Sequence, residues 1–179
     1  MSDSAAFRYG RTFDLFDADH SGAIESSDIA ALASGIVQAG NVPADSAKSQ
    51  ALHAAYQRFW EVLTRYADAD SDGRVTREEF INAMSSGMSA GPLFTESIAE
   101  AAGAEFAVVD TDDNGQIDLA ELQTFLQNAG LTPDEARQAA ADMDADGNGT
   151  ISAEEYRRAW LKFYFEIDPE TKSFLGGSH

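Results

Sequence analysis

Twelve residues from Asp17, DADHSGAIESSD, set oxygen-bearing side chains at alternate positions: Asp17, Asp19 and Ser21 at 1, 3 and 5, Glu25 at 9 and Asp28 at 12, with Gly22 at 6. A hard divalent cation such as calcium takes six to eight oxygens at roughly 2.3–2.6 Å, and a short curled loop presents oxygens in this alternating order. The order recurs without a gap in DADSDGRVTREE from Asp68, DTDDNGQIDLAE from Asp110 and DADGNGTISAEE from Asp144. Acidic, glycine-bearing segments are common as solvated turns, and a single match has to be weighed against that. Four in the same register are an internal repeat, and the chemistry they share is cation binding.

Each loop position has a physical task. The side-chain ligands are Asp17, Asp19, Ser21, Glu25 and Asp28 in the first loop, and Asp68, Asp70, Asp72 and Glu79 in the second. The third offers Asp110, Asp112, Asn114 and Glu121, and the fourth Asp144, Asp146, Asn148 and Glu155. Position 7 contributes a backbone carbonyl, so its side chain is free to vary, as Ala23, Arg74, Gln116 and Thr150 do. The sharp turn at position 6 needs a φ that glycine alone adopts cheaply. Position 8 is Ile24, Val75, Ile117 or Ile151, side chains suited to a short strand through which two loops pair back to back.

The first loop departs at position 12. Asp28 is one methylene shorter than the glutamates of the other three, so it is expected to give the ion one oxygen where they give two. Glu25 at position 9 is long enough to coordinate directly, where Thr76, Asp118 and Ser152 act through water. Fewer ligands favour six-coordinate magnesium. The expectation is Ca²⁺ in all four loops, with the first the weakest for calcium or open to Mg²⁺.

These loops need helices on both sides to hold them, and the flanks carry helical apolar stripes. Tyr9, Phe13 and Phe16 precede the first loop, Leu52, Tyr56, Trp60 and Leu63 the second, and Ile98, Ala102, Phe106 and Val109 the third. Ile29, Leu32 and Ile36 follow the first, Phe80, Met84 and Met88 the second, Leu122, Phe125 and Leu126 the third, and Tyr156, Trp160 and Phe163 the fourth. The incoming helix of the second loop is expected from about Ala44 to Tyr66. Gly87, Gly91 and Pro92 bend the chain between the halves and argue against a continuous helical connector. Glu96, Glu100 and Glu105 read as a solvated helix face.

The net charge of −19 now has a place: fifteen carboxylates stand at ligand positions, and without them the charge would be −4. So acidic a surface repels nucleic acid and anionic membranes and attracts cations. There is no cysteine, which excludes disulfides and thiolate sites. The two internal histidines, His20 and His53, are too few and too far apart in sequence to suggest a histidine metal site, and no nucleophile motif or phosphate-cradling loop appears, so no enzymatic activity is expected. No signal peptide is recognisable and no apolar run reaches the roughly 20 residues of a membrane span. A cytoplasmic monomer is expected.

Acidic loops between amphipathic helices resemble the EF-hand superfamily. The wide spacing of the first two loops, the glycine-rich hinge and the apolar tail ending in FLGG are similar to the sarcoplasmic calcium-binding protein family, in particular its bacterial members of the calerythrin type. The resemblance implies an all-α protein of four EF-hands, two paired lobes packed into one compact globule with short β-bridges between paired loops. The N-terminal pair would occupy 1–88 and the C-terminal pair with its apolar tail 89–179. It also implies a calcium buffer or transporter, usually with one degenerate site, whereas all four loops here keep their ligands. The alternatives are a sensor that exposes an apolar surface to a partner protein and, less favoured by the residues, a photoprotein or luciferin-binding protein. The tail is expected to cover the core, and the closing GGSH to be flexible and in part a cloning remainder.

Overall fold

The computed structural model describes residues 3–87 and 91–165. The apolar tail and Met88 lie outside them, as does the Phe163 side chain. The order is α1 (Asp3–Phe16), β1 (Ala23–Ile24), α2 (Ser26–Ala39), α3 (Ala47–Ala67), β2 (Val75–Thr76), α4 (Arg77–Ser85), α5 (Pro92–Val109), β3 (Ile117–Asp118), α6 (Leu119–Asn128), α7 (Pro133–Met143), β4 (Thr150–Ile151) and α8 (Ala153–Phe165). The strands pair antiparallel in twos, with Ile24 opposite Val75 and Ile117 opposite Ile151. All four position-8 side chains are wholly buried. Each pair of loops is thus stapled through its two β-branched side chains, while the acidic positions of the same loops, apart from the buried Asp17, Asp28 and Asp110, are partly or fully exposed.

Helix starts are written into the loop sequences. Position 9 is the N-cap and position 12 the third helical residue, so Thr76 with Glu79 and Asp118 with Glu121 form reciprocal capping boxes. Ser152 and Glu155 make the same exchange at α8. The capping carboxylates are thus the same side chains that the spacing marks as closing ligands. At α3 the start falls at Ala47 rather than Ala44, because the Ser46 hydroxyl accepts the Ser49 N–H at 3.1 Å and fixes the cap there. Pro92 opens α5 at a position that has no intrahelical N–H bond to lose.

The stripes read from the sequence form one core that runs through both halves. Helix α3 buries a second row, Phe59 and Val62, because it packs against α2 on one side and α5 on the other. Phe59 meets Phe16 at a ring distance of 5.3 Å and Phe94 of the second half at 5.9 Å. Gly40, after α2, lies so close to α5 that a Cβ there would overlap the Val108 side chain. Nearby, the Asn128 amide donates to the Ala39 carbonyl at 2.8 Å, tying α6 to the end of α2. Helix α7 has no stripe of large side chains. It is started by Pro133 and the Thr132–Glu135 capping box and packs through the small residues Ala136, Ala139 and Ala140.

One expectation is corrected. Glu96 and Glu100 are exposed, but Glu105 is 3% exposed, in the middle of the molecule. Its carboxylate accepts from the Tyr56 hydroxyl of α3, the Tyr156 hydroxyl at 3.1 Å and the Trp160 Nε1–H at 2.9 Å, the last two on α8. The periodicity contained the answer: Glu105 follows Ile98 by seven residues and precedes Val109 by four, which puts it on the apolar stripe and off the face of Glu96 and Glu100. A buried charge is tolerable only when hydrogen-bonded, and three donors from two other helices meet that need.

Burial pushes the Glu105 carboxyl up to about 7 against the opposing pull of its three donors. Because the folded chain then holds this proton more tightly than the unfolded chain does, the contribution to stability is full below about pH 4.5. It is lost as pH rises through about 7, a span of about 3 kcal/mol. Chemical denaturation of calcium-loaded protein between pH 5 and 8 should therefore show Glu105→Gln gaining stability relative to the unaltered chain as pH rises. Parallel pH profiles would show that Glu105 does not titrate in this window.

Candidate metal centres

In all four loops the carboxylates at positions 1, 3 and 12 converge. Asp17, Asp19 and Asp28 bring ligand oxygens within 4.8 Å of one another, as do Asp68, Asp70 and Glu79, Asp110, Asp112 and Glu121, and Asp144, Asp146 and Glu155. Oxygens on opposite sides of one calcium ion stand about 4.6–5.2 Å apart, so the spacing suits a single ion at each loop. The donors are hard oxygens throughout. When bound, the metal supplies the positive charge on which these carboxylates close.

The backbone holds each cluster open to a cation. In every loop the position-1 aspartate accepts the N–H groups of positions 5 and 6: Asp68, for example, from Asp72 at 3.2 Å and Gly73 at 3.0 Å, and Asp144 from Asn148 at 3.0 Å and Gly149 at 2.9 Å. The position-3 aspartates accept the position-5 N–H, as Asp112 does from Asn114 at 3.1 Å and Asp70 from Asp72 at 3.2 Å. Position 5 then accepts the N–H of position 7: Asp72 from Arg74, Asn114 from Gln116 and Asn148 from Thr150, each at 2.8 Å. Two N–H groups on one carboxylate require a tight arc, and the glycines at position 6 supply it with φ of +91°, +83°, +83° and +88°.

Position 4 shares this left-handed geometry, which the spacing of ligands alone did not reveal. His20, Ser71 and Asp113 sit at φ of +57°, +61° and +57°, and Gly147 at +69°. Only the fourth loop uses glycine at both turning positions.

Position 12 closes the ring. Glu79 Oε1 accepts the Ala69 N–H at 3.0 Å while its Oε2 accepts the Thr76 N–H at 2.8 Å. Glu121 joins Thr111 to Asp118, and Glu155 joins Ala145 to Ser152, in the same way. Hydrogen bonds to the charged form hold the Glu79 and Glu155 carboxyls below the usual range, those from the Thr76 and Ser152 backbone foremost. A single side chain therefore spans from position 2 to position 9 and keeps both its oxygens turned toward the loop.

The first loop is built differently. Asp28 Oδ2 accepts the Glu25 N–H at 2.8 Å, but the Ala18 N–H at position 2 turns to the Phe16 carbonyl at 2.9 Å instead. The missing methylene is the physical reason: the shorter side chain meets one end of the loop and not the other. The Ser21 hydroxyl donates to the Ala23 carbonyl at 3.0 Å, the oxygen expected at position 7. Glu25, expected to coordinate, lies outside the three-carboxylate cluster and pairs with Arg74 Nε of the second loop at 2.8 Å. Arg74 could not be matched to Glu25 from spacing. The strand pair sets Ala23 opposite Thr76 and so brings the two loops side by side. Asp17 and Asp28 are also buried, at 5% and 4%, unlike the corresponding aspartates and glutamates of the second and fourth loops.

Comparison with known proteins gives the same picture. The EF-hand domain pair matches twice, over residues 8–85 and 99–161. Calerythrin of Saccharopolyspora erythraea is 29% identical over 163 residues, covering 90% of this chain and 92% of its own length. Among solved structures, a Streptomyces coelicolor calcium-binding protein of prokaryotic calcium-mediated regulation superposes with a TM-score of 0.76 at 33% identity, over 92% of this chain and 99% of that one. The sarcoplasmic calcium-binding protein of amphioxus shares the fold, with a TM-score of 0.64 at 19% identity over 100% of this chain and 99% of that one. Four oxygen-lined loops on paired helix–loop–helix units, matched over most of the length, place the chain in the EF-hand family as a calcium-binding protein and a homologue of calerythrin.

Proposed function

We propose that this protein is a cytoplasmic, monomeric calcium buffer with four sites, the first of them the weakest for calcium or the one open to magnesium. The observation that carries the reading is that one core serves both halves. A sensor lobe must be able to present its apolar face to a partner, and here the faces of the two halves are used against each other along α3 and α5. Among the described residues the large apolar side chains left exposed are Phe7 and Tyr66, on different helices. Met84, of the residue type that lines adaptable grooves, is wholly buried. The likeness to a Streptomyces protein of calcium-mediated regulation favours a second reading, a sensor that opens toward a partner protein on binding calcium.

The weakness of the first site follows from its donors. Asp28 closes only one end of its loop, Glu25 is held by Arg74, and the Ser21 hydroxyl engages the Ala23 carbonyl. A smaller oxygen count suits magnesium's six-coordinate shell better than calcium's larger one.

Calorimetric titration with calcium should give four ions per chain, and two or fewer would exclude the four-site reading. A hydrophobic dye should bind less on calcium addition, whereas brighter dye would decide for the sensor. In Asp28→Glu the longer carboxylate can reach the Ala18 N–H, and the first site should gain calcium affinity by roughly tenfold while losing its tolerance for magnesium, a small part of the range over which ligand count and rigidity tune such loops. Unchanged selectivity at that site in a calcium titration against a magnesium background would refute this account of position 12.

A further inference from the structure

Of the ion pairs between described residues, two cross from α3 to the second half. Arg58 meets Glu100 on the helix surface, but Lys48 enters a metal loop. Its ammonium donates to the Asp110 carbonyl oxygen at 2.6 Å and pairs with Asp113 Oδ1 at 2.7 Å, with the lysine side chain only 25% exposed. Both oxygens belong to the third loop, at positions 1 and 4. Neither is among the atoms that position 1 or the remaining ligand positions turn to the ion: Asp110 uses its carboxylate, and Asp113 is the left-handed turning residue. Lysine and metal therefore do not compete for the same oxygens. A positive charge therefore stands beside the site without using its ligand atoms.

We infer that Lys48 is a built-in counter-cation of the third loop, which lowers that loop's affinity for calcium and links its occupancy to the N-terminal half. The inference rests on the reading that the third loop takes calcium. Two effects of Lys48 oppose each other: holding the loop in shape would strengthen binding, and repelling a divalent ion would weaken it. The loop's shape does not depend on Lys48. The second and fourth loops make the same internal bonds, from position 1 to positions 5 and 6 and from position 12 to positions 2 and 9, without it. What remains is charge. Without metal the ammonium is attracted by Asp110, Asp112, Asp118 and Glu121; with calcium in place that attraction is largely cancelled, and the metal-free form gains by comparison.

Each position-6 glycine amide donates to its own loop's first aspartate, so the Gly115 amide resonance reports the third loop separately from Gly22, Gly73 and Gly149. Calcium titration followed at Gly115 should show Lys48→Met binding about fivefold tighter than the unaltered chain at 10 mM salt, shrinking to less than about twofold at 1 M salt as screening takes over. Lys48→Gln, a second neutral replacement, should behave alike, and Lys48→Arg should return the affinity toward its starting value. The metal-free Lys48→Met protein should melt lower than the unaltered chain, and the calcium-loaded forms should melt nearly together. Equal or weaker calcium binding at Gly115 in both neutral variants at low salt, or a gain that salt does not diminish, would overturn the proposal. A Gly115 resonance unmoved by calcium in every variant would instead overturn the metal reading of the third loop, and the proposal with it.

Discussion

Everything in this molecule depends on how a carboxylate at the twelfth loop position spans its own ring. In three loops one glutamate takes the N–H of position 2 with one oxygen and the N–H of position 9 with the other, so the same side chain starts a helix, closes a loop and joins the cluster of acidic oxygens. A helix N-terminus leaves four N–H groups without intrahelical partners, and an ionised carboxylate is the natural group to meet one of them. The binding site and the beginning of α4, α6 and α8 are therefore one piece of structure, which ties metal binding directly to helix direction. Aspartate at the same place keeps the cap and gives up the closure, and this is one of the ways in which the first loop differs from the others.

A second constraint is that neither half has a core to itself. The four position-8 side chains staple loops in pairs, but the helices that carry them press their apolar faces across the middle, α3 on α5 above all. Gly40 permits the close approach of α2 to α5, and the Glu105 carboxylate gathers α3, α5 and α8 around a single polar point. A polar group with three directional partners fixes the relative placement of those helices more narrowly than apolar contact does. The acidic loops thus lie on the outside of a frame whose centre holds one acid with a different purpose.

The local features were legible in the residues. Ligand spacing, the turning glycines, the strand at position 8 and the apolar stripes are all set within a dozen or so neighbouring residues, and the structure brings the carboxylates of positions 1, 3 and 12 together in each loop, with Glu25 departing from the expected set. Position 4 escaped because His20, Ser71 and Asp113 share no side-chain type; only the backbone angle unites them. Helix α7 carried its signal in a capping box and a proline rather than in large side chains. Glu105 was on the correct stripe, yet its acidity suggested a surface, since its three donors come from residues far away in sequence. Lys48 and Asp113, and likewise Arg74 and Glu25, meet only once the helices are packed, so no reading of neighbours along the chain could pair them.

The shared core has a consequence for how the chain is made. Contacts such as Phe59 with Phe94 join residues distant in sequence, and long-range contacts of this kind form late and slow folding. During synthesis from the N-terminus, the first two loops and their strand pair are complete while the face of α3 that α5 will cover is still bare. Nascent chains in that state carry an adhesive apolar surface. The half-made protein is therefore more aggregation-prone than the finished one, and the close fit of Gly40 against Val108 is of no help until α5 has left the ribosome.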